Sequence, residues 1–467
     1  MKKLHYIFIL IGLVGLGFSA CDFFDVDEVT NPNAPDASVI STNASAEQIQ
    51  ALVAGLEGRS RLYVGTTSRA FGSFGRETLS YRDSDPRFTT AWLGRAGEPD
   101  GGFFAVLNTY DGPFQTIKQA NVLMDAAANT DIFSAQEVSG INGFAKTIQG
   151  YQFLAPLLAQ YENGIRVDIT DPLNPGPFVE NFQAALTEVR SVLDAGASDL
   201  SGAGGSFPFS LTSGFSGFDT PADMLQVNRA VAARAAIYAQ DWQGALDALG
   251  GSFFDMSGDM NVGPAHTYEG ADGTVTSNDV DPPNPFNPFF FPLDQFSTQL
   301  EVVHPSVLED LESGDQRGNK FFMRSAPNFV TNQALVEYVA THQDGRWASN
   351  TSNVPFIRNE ELVLIYAEAN AQLGNTTEAV AAINAVRSNA GLGNYTGATD
   401  TNSLVDQILF ERRYSLWFEP LPHRWVDLRR YDRLTELQGD FIADDESFFM
   451  QLARPTGESN WDEFFGN

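Results

Sequence analysis

Only one cysteine occurs in 467 residues, and histidine and lysine are each present five times. Cys21 alone can form neither an intramolecular disulfide nor a cysteine-ligated zinc site. Past residue 20 the histidines are His266, His304, His342 and His423, and none stands in an HExxH or other paired ligand spacing. There is no Gly-x-Ser-x-Gly elbow; SGFSGF (213–218) fails by one position. Lys146-Thr147 lacks the glycine that a phosphate loop requires directly before its lysine. TSNDVDPPN (276–284) is rich in oxygen ligands but lacks the calcium-loop spacing. Acid pairs are too plentiful for two to be singled out as a glycosidase dyad. The sequence therefore assigns no catalytic residue, no metal site and no cofactor. Positive charge is scarce as well: 28 Lys plus Arg face 59 Asp plus Glu, a formal charge of −31. A polyanion would be repelled, which excludes nucleic acid as a partner. No stretch past residue 20 is long and apolar enough to span a bilayer as a helix.

What is present begins with the leader. Lys2 and Lys3 form a positive start, Tyr6 to Phe18 an apolar run of 13 residues, and Ser19 and Ala20 a small-residue cleavage site before Cys21. This is the pattern of a lipoprotein signal over residues 1–20, with the Cys21 thiol as the lipidated group. The alternative is an ordinary signal peptide and an incidental cysteine. Two or three acyl chains would anchor far more firmly than one. Residues 21–44 read as an acidic, lipid-proximal tether. Asp22, Asp25, Asp27 and Glu28 would be repelled by anionic headgroups, and they resemble an address for the outer face of an outer membrane. Cutting before Cys21 removes two lysines and no acids, so −31 becomes −33. Such acidity suits a strongly solvated surface or adaptation to high salt.

The rest is organised by helical repeats. ARAAIYAQDWQGALDAL (233–249) aligns with AEANAQLGNTTEAVAAI (367–383), matching Ala233 with Ala367, Ala236 with Asn370, Ala245 with Ala379 and Leu249 with Ile383. Each is a helix, a polar turn and a second helix, with small residues where two helices approach. Further pairs are expected from 142–164 with 179–197, and from 45–65 with 113–129. The expected fold is dominated by α-helix: about four tetratricopeptide-like helix pairs plus a loop-rich subdomain. Residues 45–249 form the N-terminal helical region, interrupted by a loop insertion at 66–112. Residues 250–355 form the loop-rich, ligand-binding subdomain, and 356–467 the C-terminal region with the last repeat. Both insertions are rich in Gly, Pro, Asn, Asp and aromatics, and too long for plain connectors.

Residues 356–430 carry an ordered motif series: Arg358, Ala-Glu-Ala at 367–369, Ile-Asn-Ala-Val-Arg at 383–387, Glu-Arg-Arg at 411–413, Phe-Glu at 418–419 and Arg-Trp-Val-Asp-Leu-Arg-Arg at 424–430. The series resembles the C-terminal signature of the SusD/RagB family, and FQTIKQAN (114–121) and the leader also fit. The chain departs from the family where Ser415 replaces a usual Glu, and where PLPH (420–423) replaces a usual glycine after Phe-Glu. The resemblance implies a lipid-anchored protein of the outer membrane, facing the cell exterior, that captures nutrients without catalysing a reaction. It implies two partners: an oligosaccharide or peptide ligand, and a TonB-dependent transporter barrel of the SusC type. A tetratricopeptide-type adaptor that binds proteins and no small ligand is the alternative. Glu411, Arg412, Glu419, Arg424, Asp427 and Arg429 read as a structural ion-pair network; as exposed pairs, each would contribute about 0–1 kcal/mol.

Sugar recognition needs aromatic faces for C–H surfaces and Asp, Asn or Arg for hydroxyls. Tyr81, Asp83 and Trp92 in the first insertion, and Trp347 and Asn350 in the second, are the candidate ligand-binding residues. Packing beneath a loop is the alternative for each tryptophan. The phenylalanine run 289–291 reads as a small satellite core, since contiguous exposed aromatic surface is unusual.

Overall fold

The computed structural model describes residues 43–82, 85–97, 100–171, 174–268, 286–295, 297, 299–329 and 339–465. Cys21, the acidic tether and Asp83 lie outside the described residues. Among the described residues no helix is long and apolar enough to cross a membrane.

The architecture is mostly helical. The N-terminal half contains α1 (Ala46–Leu62), α2 (Val64–Phe74), α3 (Arg87–Thr90), α4 (Phe104–Ala128), α5 (Ala135–Gln160), α6 (Phe182–Gly202), α7 (Pro221–Tyr238) and α8 (Trp242–Gly250). The rest adds α9 (Pro305–Glu309), α10 (Asn359–Gln372), α11 (Thr376–Asn389), α12 (Thr401–Ser415), α13 (Arg424–Arg430) and α14 (Thr456–Phe465). Helix starts follow local chemistry. Ser45 and Ser134 each accept from the backbone three residues on, and Gln48 and Glu137 reach back, so α1 and α5 both open with a capping box. At α7 the Thr220 side chain accepts from the Asp223 backbone, and Pro221 at the first position brings a preset φ and no N–H to satisfy.

α5 is the central helix. From Gly140 to Gln160 it is buried on nearly every side, and buried polar residues such as Thr147 and Gln149 are hydrogen-bonded to neighbours. It packs between α4 and α6. A Cβ on Gly143 would sit 2.5 Å from Leu200 Cγ and 2.8 Å from the Leu200 backbone nitrogen, so α6 can lie this close only against glycine. The pairs α7/α8 and α10/α11 contact one another through α10. The repeat-aligned Ala233, Ala245, Ala367 and Ala379 are all fully buried, an arrangement compatible with tetratricopeptide-like stacking. Helix extends into both ends of the 66–112 stretch, through α2 and α4; the long α4 carries Pro113 inside it.

The strands are β1 (Thr78–Arg82), β2 (Ile165–Arg166), β3 (Phe178–Val179), β4 (Ala265–His266), β5 (Gln299–Val303), β6 (Phe321–Phe329), β7 (Val339–Asp344) and β8 (Val354–Pro355). A four-stranded sheet has the order β1-β5-β7-β6. In it β1 runs antiparallel to β5, with Thr78 opposite Val303 and Arg82 opposite Gln299. The two insertions, more than 200 residues apart in sequence at this pairing, are thus stitched into one sheet. Phe289 and Phe291 sit in two small cores on either side of this region.

The C-terminal charges hold the helices together. Arg412 pairs with Glu368 (2.7 Å) and Asp427 (3.2 Å); Glu411 takes Arg317 (2.7 Å) and Arg387 (2.9 Å); Arg424 pairs with Asp440 (2.6 Å). Arg429 donates to the carbonyls of Leu158 (2.7 Å) and Met450 (3.0 Å). The small energies of exposed pairs do not apply, because Glu411 and Arg412 are 0% and 1% exposed. Removing one partner of such a pair leaves a buried charge alone and costs about 3–5 kcal/mol. At the PLPH turn the missing glycine has a structural consequence: Phe418 (φ 52°) and Leu421 (φ 59°) both occupy the left-handed region that glycine favours.

Candidate functional site

The residues singled out in the sequence reach very different places. Tyr81 is 1% exposed. It lies in a small core with Leu79, Leu93, Phe291 and Leu300. Its strand neighbours Ser80 and Arg82 bind Glu301 on β5 at 2.6 and 2.7 Å. Trp92 is also 1% exposed, with its ring 4.6 Å from Phe88 and 6.3 Å from Phe74. Of the two roles open to Trp92, this is the geometry of packing. Arg95, expected beside it as a polar flank, pairs with Asp445 at 2.8 Å. Asn350 is buried at 6% exposure, and its carbonyl accepts from the Asn287 backbone. These three side chains therefore do not present a ligand surface.

Trp347 is different. It is half-buried and lines an open hollow of about 440 Å³. The hollow lies between the segments around 316–320 and 346–355 and the ends of α10 and α11. The Trp347 indole donates to Asp344 Oδ2 at 2.9 Å, and its ring stacks on Phe289 at 5.7 Å, which fixes its position. Arg346 lies 4.8 Å from the ring centroid and donates to the carbonyls of Trp417 (2.8 Å) and Phe418 (3.2 Å).

The hollow's charges are already satisfied by the protein. Lys320 donates to the carbonyls of Tyr414 (2.6 Å) and Ser415 (2.5 Å), and burial pulls its pKa down to about 8. Arg358 binds Glu419 at 2.8 Å and also pairs with Glu360. Burial opposes the Glu360 carboxylate, but Arg358 and Lys320 overcome it and hold its pKa below the ordinary value. Arg317 is bound by Asp315 at 2.7 Å and by Glu411. What remains open are neutral amides. Gln316, Asn319, Asn353 and Asn389 line the hollow, are exposed, and make no side-chain hydrogen bond within the described residues. An aromatic edge framed by amides, with no unpaired charge, suits a hydroxyl-rich ligand. These amides were not among the residues legible in the sequence. Their signal was weak, since they come from the turn before β6, the end of α11 and the segment before β8.

The buried histidines are core residues. Burial pushes the pKa of His266 down to about 3 and that of His423 to about 4. Among the described residues no group of three or more His, Cys, Asp or Glu could hold a metal ion.

This architecture has counterparts. Residues 311–462 match the SusD family, and they include most of the hollow's lining. The SusD-like protein P38 of Formosa agariphila is 34% identical over 164 residues, which is 32% of this chain and 32% of the relative. The match thus spans about a third of that relative's length. A SusD superfamily structure from Bacteroides thetaiotaomicron superposes with a TM-score of 0.64 at 15% identity, covering 89% of this chain and 98% of that one. A laminarin-binding SusD-like protein superposes with a TM-score of 0.61 at 18% identity, covering 90% and 97%. The fold is like that of these SusD superfamily structures, and residues 311–462, about a third of the chain, match the SusD family, in line with the SusD/RagB resemblance.

Proposed function

We propose that the protein captures an oligosaccharide at the cell surface and passes it to a TonB-dependent transporter barrel, acting as a binding protein without catalysis. The observation that carries this reading is the hollow beside Trp347, whose free lining groups are amides on a SusD-like scaffold. Amides offer paired donors and acceptors to vicinal hydroxyls, and the indole edge offers an apolar surface to sugar C–H groups. A peptide is the less suited ligand, because the hollow presents no free charge to a terminus or an ionic side chain. In this reading Cys21 is the lipidated residue that holds the protein at the outer membrane, and Asp22, Asp25, Asp27 and Glu28 direct it outward. The laminarin-binding structural relative makes laminarin the first probe.

The test is affinity electrophoresis of the full-length protein in mild detergent, through gels holding laminarin, xylan, mannan, starch, pectin or alginate. Retardation by at least one is expected. Migration unchanged in all of them would overturn glycan capture.

A further inference from the structure

A second concavity lies where α14 meets β2 and β3. One hollow of about 360 Å³ is lined by Tyr110, Phe114, Lys118, Arg166, Pro175 and Trp461. Another of about 400 Å³ is lined by Arg166, Pro175, Phe178, Arg454, Trp461 and Phe465. Arg166, Pro175 and Trp461 line both, so the two hollows adjoin as one groove at these residues.

Partly exposed aromatic rings line the groove. Phe114 stacks at 4.4 Å on Tyr110, which is buried beneath it, at one end, and Trp461 lies 4.7 Å from Phe465 where the two hollows meet. Phe178, in the second half, is covered by Arg454 at 3.8 Å. Of the groove's cations, Arg166 and Arg454 are paired internally, while Lys118 stands exposed. Arg166 is 3% exposed and binds Glu458 (2.5 Å), Asp462 and the Gly176 carbonyl (2.7 Å). Hydrogen-bonding groups stand at the rim instead: Asp111 and Gln115 on one side, Asn174 and Glu180 on the other, all exposed. The outer wall is α14, which has no buried residue and is tied down by Arg166–Glu458, Arg166–Asp462 and Arg454–Asp462.

We infer that this groove is a second carbohydrate site, which takes a segment of a glycan chain lying across Trp461 with sugar rings on both sides. The partly exposed Phe114 and Trp461 rings with a polar rim match the flat C–H faces and peripheral hydroxyls of pyranoses. Two hollows in line, rather than one closed pocket, match a chain rather than a single sugar. The inference rests on the glycan reading above. It adds that a polymer is held at two places on one molecule, which raises its apparent affinity without any new contact at the first site.

The test uses the same polysaccharide gels with the full-length protein and its Trp461→Ala, Phe178→Ala and Trp347→Ala variants. Trp461 and Phe178 are only partly buried, so melting temperatures should match the wild type and will show whether folding is intact. Expected is a polysaccharide affinity about tenfold weaker in Trp461→Ala and Phe178→Ala. Titration with the matching oligosaccharides of increasing length should show affinity climbing with length in the wild type and in Trp347→Ala, and staying flat in Trp461→Ala. If a polysaccharide retards the wild type and both groove variants equally, the groove is overturned and glycan capture stands. If no polysaccharide retards the wild type, glycan capture fails and the groove falls with it. Retention of a hydrophobic peptide, lost in Trp461→Ala, would also overturn the carbohydrate assignment.

Discussion

Glu77 sits 1% exposed at the entry to β1, where its carbonyl accepts from the Trp417 indole at 3.0 Å and from the His304 backbone at 3.1 Å. Burial raises its carboxyl pKa to about 8, although Arg424 and Arg413 oppose the shift. The folded state therefore holds this proton more tightly than the unfolded chain, whose value is near 4.5. Its contribution is fully present below about pH 4.5 and is lost as pH rises toward 8. Glu77→Gln should remove that downward slope, so denaturant melts across this range should show the variant gaining on the wild type as pH rises. Parallel curves would mean that Glu77 is ionised throughout. The tryptophans separate at the same scale. Trp92→Ala truncates a core side chain and should cost about 3–5 kcal/mol of stability. Trp92 and Trp347 looked alike in sequence, each a tryptophan among polar residues. What divides them is three-dimensional: Phe74 and Phe88 close over the first, while the second stands at the rim of a hollow whose other residues come from distant segments.

Among the elements, the helices were the legible part. Their alanine spacing and polar turns are local signals, and the α7/α8 and α10/α11 pairs lie where those signals placed them. Gly143 carries the α5–α6 approach. Gly143→Val should lower the melting temperature by several degrees or prevent folding, because the new side chain meets the Leu200 backbone, which cannot rotate away. An unchanged melting temperature would mean that the two helices are not packed this closely. β1 was not read as a strand, although Leu79 and Tyr81 alternate with Ser80 and Arg82 in the period of a sheet. Five residues inside a Gly- and Asp-rich stretch are a short signal, and the partner strand lies more than 200 residues away. The pairing that joins the two insertions is a long-range contact, and so is the collection of amides around Trp347. Neither leaves a trace in local composition.

For the whole molecule, charge and cargo decide. At a net −31, self-repulsion should weaken the fold at low ionic strength, where the Debye length is about 30 Å in 0.01 M salt against about 3 Å at 1 M. The buried Arg–carboxylate pairs are screened far less, so the melting temperature should climb with salt and then level off. A flat profile would leave the acidity a matter of solubility alone. In the proposed function the hollow beside Trp347 holds the glycan. The most direct measurement is calorimetric titration of the wild type, Trp347→Ala and Asn353→Ala with an oligosaccharide from whichever polysaccharide retards the protein, alongside their melting temperatures. Affinity should be at least about tenfold weaker in both variants, with Asn353→Ala as stable as the wild type because its side chain is exposed and makes no hydrogen bond to lose. Wild-type affinity in both folded variants would contradict it.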